Sequence, residues 1–230
     1  MNNLIAELST GSGSLVILMV GLVFKLTGFA VRDELLLRIL VVCGFICDAA
    51  YYFFRADPIL PSVLSNIALL AINVVFIAAI ASERTTWRMS AQDRETFRHF
   101  PTLTPGQFRR LKKMIVAEAA DAGTVLMREG QVMDSLMLVY AETIVISKAG
   151  QSFPIAGPAF VGEVAFLTGN PSSADVTLPD GGTILRLDSA ALRKRMARVP
   201  AFNNAMVALF GAELARKVAD SMPMERASVR

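Results

Sequence analysis

The part of this chain best suited to chemistry is a glycine followed by a glutamate and one short apolar turn. It reads Phe160-Val161-Gly162-Glu163-Val164-Ala165-Phe166-Leu167-Thr168-Gly169-Asn170-Pro171-Ser172-Ser173-Ala174-Asp175-Val176. The short apolar turn can be a single helical turn whose first N–H groups have no partner inside it. Unpaired donors at a helix start, backed by the helix dipole, favour an anion such as a phosphate. Glu163 sets a carboxylate beside them, Gly169-Asn170-Pro171 breaks the turn, and a small-residue run leads into a strand.

Other chemistries find little material. The two cysteines, Cys43 and Cys47, lie four apart in an apolar run, which suits packing on one helix face rather than a disulfide framework. The single histidine, His99, has no cysteine near it, so no metal-ligand cluster assembles and no cofactor is expected. An enzyme would need a nucleophile–base pair, and His99 is far in sequence from Ser172, Ser173 and Glu163; the expectation is a non-enzyme. A net charge of +3 is too small for a nucleic-acid signature. After the last helical stretch only residues 223–230 remain, too few for a DNA-reading module.

The elements that position the 160–176 stretch are of two kinds. The chain is 53% hydrophobic with a mean hydropathy of +0.49, and the excess lies in its first third. Apolar runs occupy 15–29, 35–54 and 59–81. About 20 residues of helix cross a hydrocarbon core of about 30 Å, so the expectation is three transmembrane helices in a block at 1–81. Residues 1–14 carry no Lys or Arg, which excludes the basic start of a signal peptide. Basic residues gather between the first two runs (Lys25, Arg32, Arg38) and after the third (Arg84, Arg88, Arg94, Arg98). The positive-inside rule then puts the N-terminus outside and everything after the third run in the cytoplasm, as a multi-pass protein of the plasma (inner) membrane with the lipid bilayer as partner. Asp48, the one acid well inside a run, needs a partner, and Asn66 and Asn73 in the third run are the expected ones. Lys25 is expected to reach toward an interface.

From Ser82 the composition turns polar, and 82–101 reads as a linker helix with Ser90 as its cap. Thr104-Pro105 starts a second helix, expected over 105–120 with Phe108, Leu111, Ile115 and Ala119 on one face. Strands follow at Thr124–Met127, Ser135–Tyr140, 143–147 and 183–187, separated by Gly-, Pro- and Asp-rich breaks. Helical periodicity returns at Ser189–Arg198 and 201–222, the latter with Phe202, Ala205, Met206, Leu209, Phe210 and Leu214 on a wide face; 223–230 reads as a loose tail. The expected class is α + β: three transmembrane helices, then a cytoplasmic antiparallel β-roll at 102–222, jelly-roll-like, with flanking helices.

This layout resembles a cyclic nucleotide-binding domain. The resemblance is carried by Gly162-Glu163-Val164-Ala165-Phe166-Leu167 with Gly169 and Pro171, and by Arg128-Glu129-Gly130 with Asp134. The membrane block and single cytoplasmic domain also resemble Popeye domain proteins in architecture, although the Popeye Asp-Ser-Pro-Glu signature is absent. The resemblance implies a membrane-anchored sensor of a cyclic nucleotide, cAMP by default, that signals through association: a homo-oligomer, a dimer, with an unknown protein partner and no nucleic acid. The ligand-binding residues it implies are Phe160, Val161, Gly162, Glu163, Val164, Ala165, Ser172, Ser173 and Ala174, with Glu163 accepting from the ribose 2′-hydroxyl and the backbone amides cradling the phosphate. The arginine that the family places after Pro171 is Ser172 here, so the phosphate must find its positive charge elsewhere or bind more weakly. Asp175 would repel a phosphate unless strand alternation turns it away. The alternative is a ligand-free roll that serves as an oligomerisation or partner-interaction module.

Overall fold

The computed structural model describes residues 11–55, 57–87 and 89–221. Residues 1–10, Arg88, which was counted toward the orientation, and the 223–230 tail lie outside them. The chain divides into two compact units, Met1–Arg88 and Met89–Arg230.

Among the described residues, the first unit holds three helices, α1 (Gly11–Ala30), α2 (Glu34–Phe53) and α3 (Leu60–Arg84). Of these, α2 and α3 are long and apolar enough to cross a membrane, whereas the apolar stretch of α1, Leu15–Ala30, is shorter. Most large apolar side chains point outward, Leu64 at 66% and Val75 at 68% exposure among them. An apolar exterior of this extent marks a protein- or membrane-facing surface. Asp33 caps α2 by accepting from the Leu35 and Leu36 N–H groups, and its other oxygen takes Arg84 Nη1 at 2.8 Å. Inside the unit, Asp48 does not meet the asparagines. Its Oδ2 takes Lys25 Nζ at 2.6 Å, while Asn66 and Asn73 donate to carbonyls of their own helix, Ser62 and Leu69. Nor does Lys25 serve an interface. Two opposite charges that share one buried place neutralise each other, which an amide cannot do for a carboxylate. Glycines permit the approach: a Cβ on Gly44 would stand 2.5 Å from Lys25 Cγ and 2.9 Å from the Gly21 carbonyl oxygen.

The second unit begins with α4 (Ala91–Phe97), capped by Ser90, and α5 (Pro105–Lys112), closed by a capping box between Thr104 and Gln107. Eight strands follow: β1 (Ile115–Ala120), β2 (Thr124–Met127), β3 (Ser135–Tyr140), β4 (Ile144–Lys148), β5 (Gln151–Ile155), β6 (Ala159–Val161), β7 (Asp175–Leu178) and β8 (Gly182–Asp188). Between β6 and β7 lies the single-turn helix α6 (Glu163–Thr168), and α7 (Ser189–Arg198) and α8 (Pro200–Ser221) close the unit. All pairings are antiparallel, in two four-stranded sheets ordered β1-β8-β3-β6 and β2-β7-β4-β5.

Strand β3 explains the layering. Leu136 and Leu138 enter a core with Phe100, Phe108, Phe160, Phe202, Met206, Leu209 and Phe210, which packs helices on one face of the first sheet. Met137 and Val139, pointing the other way, enter a second core with Ile144, Val161, Val176, Leu178 and Ile184. A strand covered on both faces reads as a continuous apolar run, as Leu136-Met137-Leu138-Val139 does.

Two further expectations change. The helix at 105–120 stops at Lys112, and Ile115–Ala120 becomes β1, paired with β8 from Ile115↔Leu187 to Ala120↔Gly182. Alanines 117, 119 and 120 favour helix locally, but the edge of β8 offers a full ladder of hydrogen bonds and wins. The stretch at 82–101 is not a separate linker helix: α3 continues to Arg84, while Met89, Phe97 and Phe100 belong to the aromatic core of the second unit.

His99 lies edge-on to Tyr140, with ring centroids 5.5 Å apart. Burial holds its imidazole below the ordinary value near 6.5, and the Arg216 and Arg98 charges act in the same sense against Glu95 and Glu213. The unfolded chain therefore takes up a proton that the folded unit refuses. The associated stability is complete above pH about 6.5 and is lost as pH falls toward the lower folded value. In calorimetry of the full chain, the melting temperature of this unit should fall on going from pH 7.5 to pH 5.5. His99→Phe should flatten that part of the slope; an unchanged slope would mean that other groups carry it.

Candidate functional site

Strand β6 brings Phe160 and Val161 to the rim of the first sheet, and the chain then turns sharply at Gly162. Its φ of +91° is left-handed, and an added Cβ would stand 3.3 Å from the Ser135 carbonyl oxygen, so glycine serves both the turn and the close approach. Immediately after it, Glu163 opens α6 and its residue is only 4% exposed. The Glu163 Oε1 accepts from Lys217 Nζ at 2.5 Å, and the same ammonium donates to the Phe160 carbonyl at 2.6 Å. Lys217 is on α8, 54 residues away in sequence.

The second stretch, around Ser172, is tied to the β2–β3 turn. The Gly130 N–H donates to the Ser172 carbonyl and the Ser172 N–H to the Gln131 carbonyl, both at 2.8 Å. The buried Ser172 hydroxyl donates to the Ala174 carbonyl at 2.7 Å and accepts from the Ala174 N–H at 3.3 Å. Both of its capacities are used within its own turn. The Asp175 carboxylate accepts from the Glu129 N–H at 2.7 Å, which holds it at that turn and not on the cavity wall.

Between the two stretches lies a cavity of about 170 Å³. Phe160, Val161, Gly162, Glu163, Val164, Ala165, Ser172, Ser173 and Ala174 all line it, so the fold brings together every residue of the expected site. The remaining wall is Met127, Ile146 and Val176 from the strands, with Leu214 and Lys217 from α8. Sequence reasoning missed these five as site residues. Leu214 stood on the expected apolar face of the last helix, and Lys217, three residues on, shares its side; that spacing was the available signal. Among the described residues, no cluster of His, Cys, Asp and Glu could hold a metal.

No family model matches the chain, and no curated protein matches it. Solved structures do. A protein of Geobacter metallireducens described as a cyclic nucleotide-binding protein superposes with a TM-score of 0.51 at 15% identity, over 56% of this chain and 98% of that one. A cyclic nucleotide-binding domain from Methylobacillus flagellatus gives 0.50 at 20% identity, over 57% and 83%. At these identities the likeness is one of fold: paired antiparallel sheets with flanking helices.

Proposed function

We propose, for a domain with the fold of cyclic nucleotide-binding proteins, that this chain is a membrane-anchored, non-enzymatic cyclic nucleotide sensor. The observation that carries the reading is the convergence of two stretches, 160–165 and 172–174, on one cavity with a buried carboxylate. cAMP is the first ligand to test. The outward apolar faces of α2 and α3 support the anchor, in a Popeye-like arrangement at the plasma membrane with the domain on the cytoplasmic side. Glu163 has one oxygen on Lys217, which leaves Oε2 to accept from a ribose hydroxyl.

At about 170 Å³ the cavity is smaller than the ~300–1,000 Å³ usual for ligand sites. Leu214 and Lys217 wall it from α8, so entry of a nucleotide requires that helix to shift outward. Such a shift is the means by which occupancy would reach a second copy or another partner. The small volume and the satisfied Glu163–Lys217 pair also favour a second reading, a ligand-free interaction module.

Equilibrium dialysis of the full chain in micelles against cAMP and cGMP separates the two. Trp87 is 87% exposed and would report little by its emission. The expected result is binding of cAMP, weakened about 10–100-fold by Glu163→Ala, with 2′-deoxy-cAMP much less affected. If neither nucleotide binds, the interaction-module reading stands instead.

A further inference from the structure

We propose that Lys217, delivered by the closing helix α8, is the residue that binds the ligand's phosphate. The inference rests on the nucleotide-binding reading above and names the charge which that reading lacks. Among the described residues, Lys217 is the single cationic side chain on the cavity wall. Arg193 is engaged elsewhere: it donates to the Phe166 carbonyl and lies over the Phe166 ring at 4.4 Å, away from that wall. Ser172 has neither charge nor a spare proton, because its hydroxyl donates to Ala174.

The geometry of the ammonium suits the task. It carries three donors, of which one points to the Phe160 carbonyl at 2.6 Å and one to Glu163 Oε1 at 2.5 Å. The third remains for a ligand. With its side chain 24% exposed, Lys217 is neither sealed in nor freely hydrated. A phosphodiester that entered as α8 shifts would meet an ammonium already partly desolvated and held at the cavity wall. Glu163 need not let go, since one ammonium can lie between a carboxylate and a phosphate. An arginine at this place would offer a flat fork, whereas the compact ammonium serves partners in three directions.

Because Lys217 is on α8 and not on the 160–176 stretch, the phosphate would bridge two elements. Binding would then fasten the distal part of α8 to the β6–α6 junction. A ligand with the same base and ribose but no phosphate would leave that helix as it is.

The test uses the full chain in maltoside micelles, which carry no phosphate. Lys217→Met should weaken cAMP about 10–100-fold and leave adenosine unchanged. Lys217→Arg, which keeps the charge but not the compact three-way geometry, should lose less cAMP affinity than Lys217→Met. Loss of cAMP and adenosine affinity by equal factors would make Lys217 a positioning residue for α8, and would overturn the inference. So would a Lys217→Met variant that binds cAMP as the wild type does. A separate arm reads the anion site without any nucleotide: millimolar inorganic phosphate should raise the melting temperature of the wild type and not of Lys217→Met. A failure to bind cAMP or cGMP with this phosphate effect intact would sink the nucleotide reading alone, while an equal phosphate response in both proteins would sink the role of Lys217.

Discussion

Lys25→Met should destabilise the helical unit by about 3–5 kcal/mol, because it strands Asp48 among apolar helices. The Asp48 Oδ1 is already buried without a hydrogen-bond partner, so the whole compensation of this carboxylate comes through Oδ2 and Lys25 at 2.6 Å. Removal of the cation leaves both oxygens unpaired. A Lys25→Met, Asp48→Leu double variant should recover most of the loss, since an apolar pair of similar volume needs no compensation. Denaturant titration of the full chain in micelles, followed by helical circular dichroism, measures both. Equal stability of the single variant and the wild type would mean that water reaches Asp48. The pair holds α1 against α2 at the point where Gly21 and Gly44 let the backbones approach.

Phe210→Ala should cost the second unit a similar ~3–5 kcal/mol. Its ring is fully buried and meets Phe160 and Phe166 edge-on, with centroids 6.1 and 5.6 Å away. Those two rings flank Gly162 and Glu163, so Phe210 is where α8 is fastened to the floor of the site. Alanine leaves a cavity that the surrounding aromatic rings cannot close, whereas Phe210→Leu should lose only about 1–1.5 kcal/mol. With the anchor gone, Lys217 loses its fixed position two turns further along the helix, and ligand affinity should fall in the fraction that remains folded. Calorimetry and dialysis on the same preparations read the two effects. A loss below about 1 kcal/mol would show that α8 docks through other residues.

These predictions concern contacts that no local pattern announces. Lys25 and Asp48 are 23 residues apart, and Glu163 and Lys217 are 54 apart. Asn66 and Asn73 were the plausible partners for Asp48 by residue type, yet each found an acceptor one turn back in its own helix. Serine at 172 pointed to a missing charge in the site, and the fold places a lysine there from an element with no motif of its own.

The sequence by itself determined the features that depend on neighbours along the chain. Long apolar runs defined the long helices, Ser90 and Thr104-Pro105 set two helix starts, and the apolar run at Ser135–Tyr140 marked a strand. Gly162-Glu163 marked the turn because a left-handed backbone next to a carboxylate is a local property. Tertiary structure alone decided what Ile115–Ala120 would become, since six residues rich in alanine have a weak preference that one ladder along β8 overrides. It also decided the charge of the site. A cation delivered by a helix depends on where that helix packs, and the packing is set by Phe202, Met206, Leu209 and Phe210 against a sheet distant in sequence.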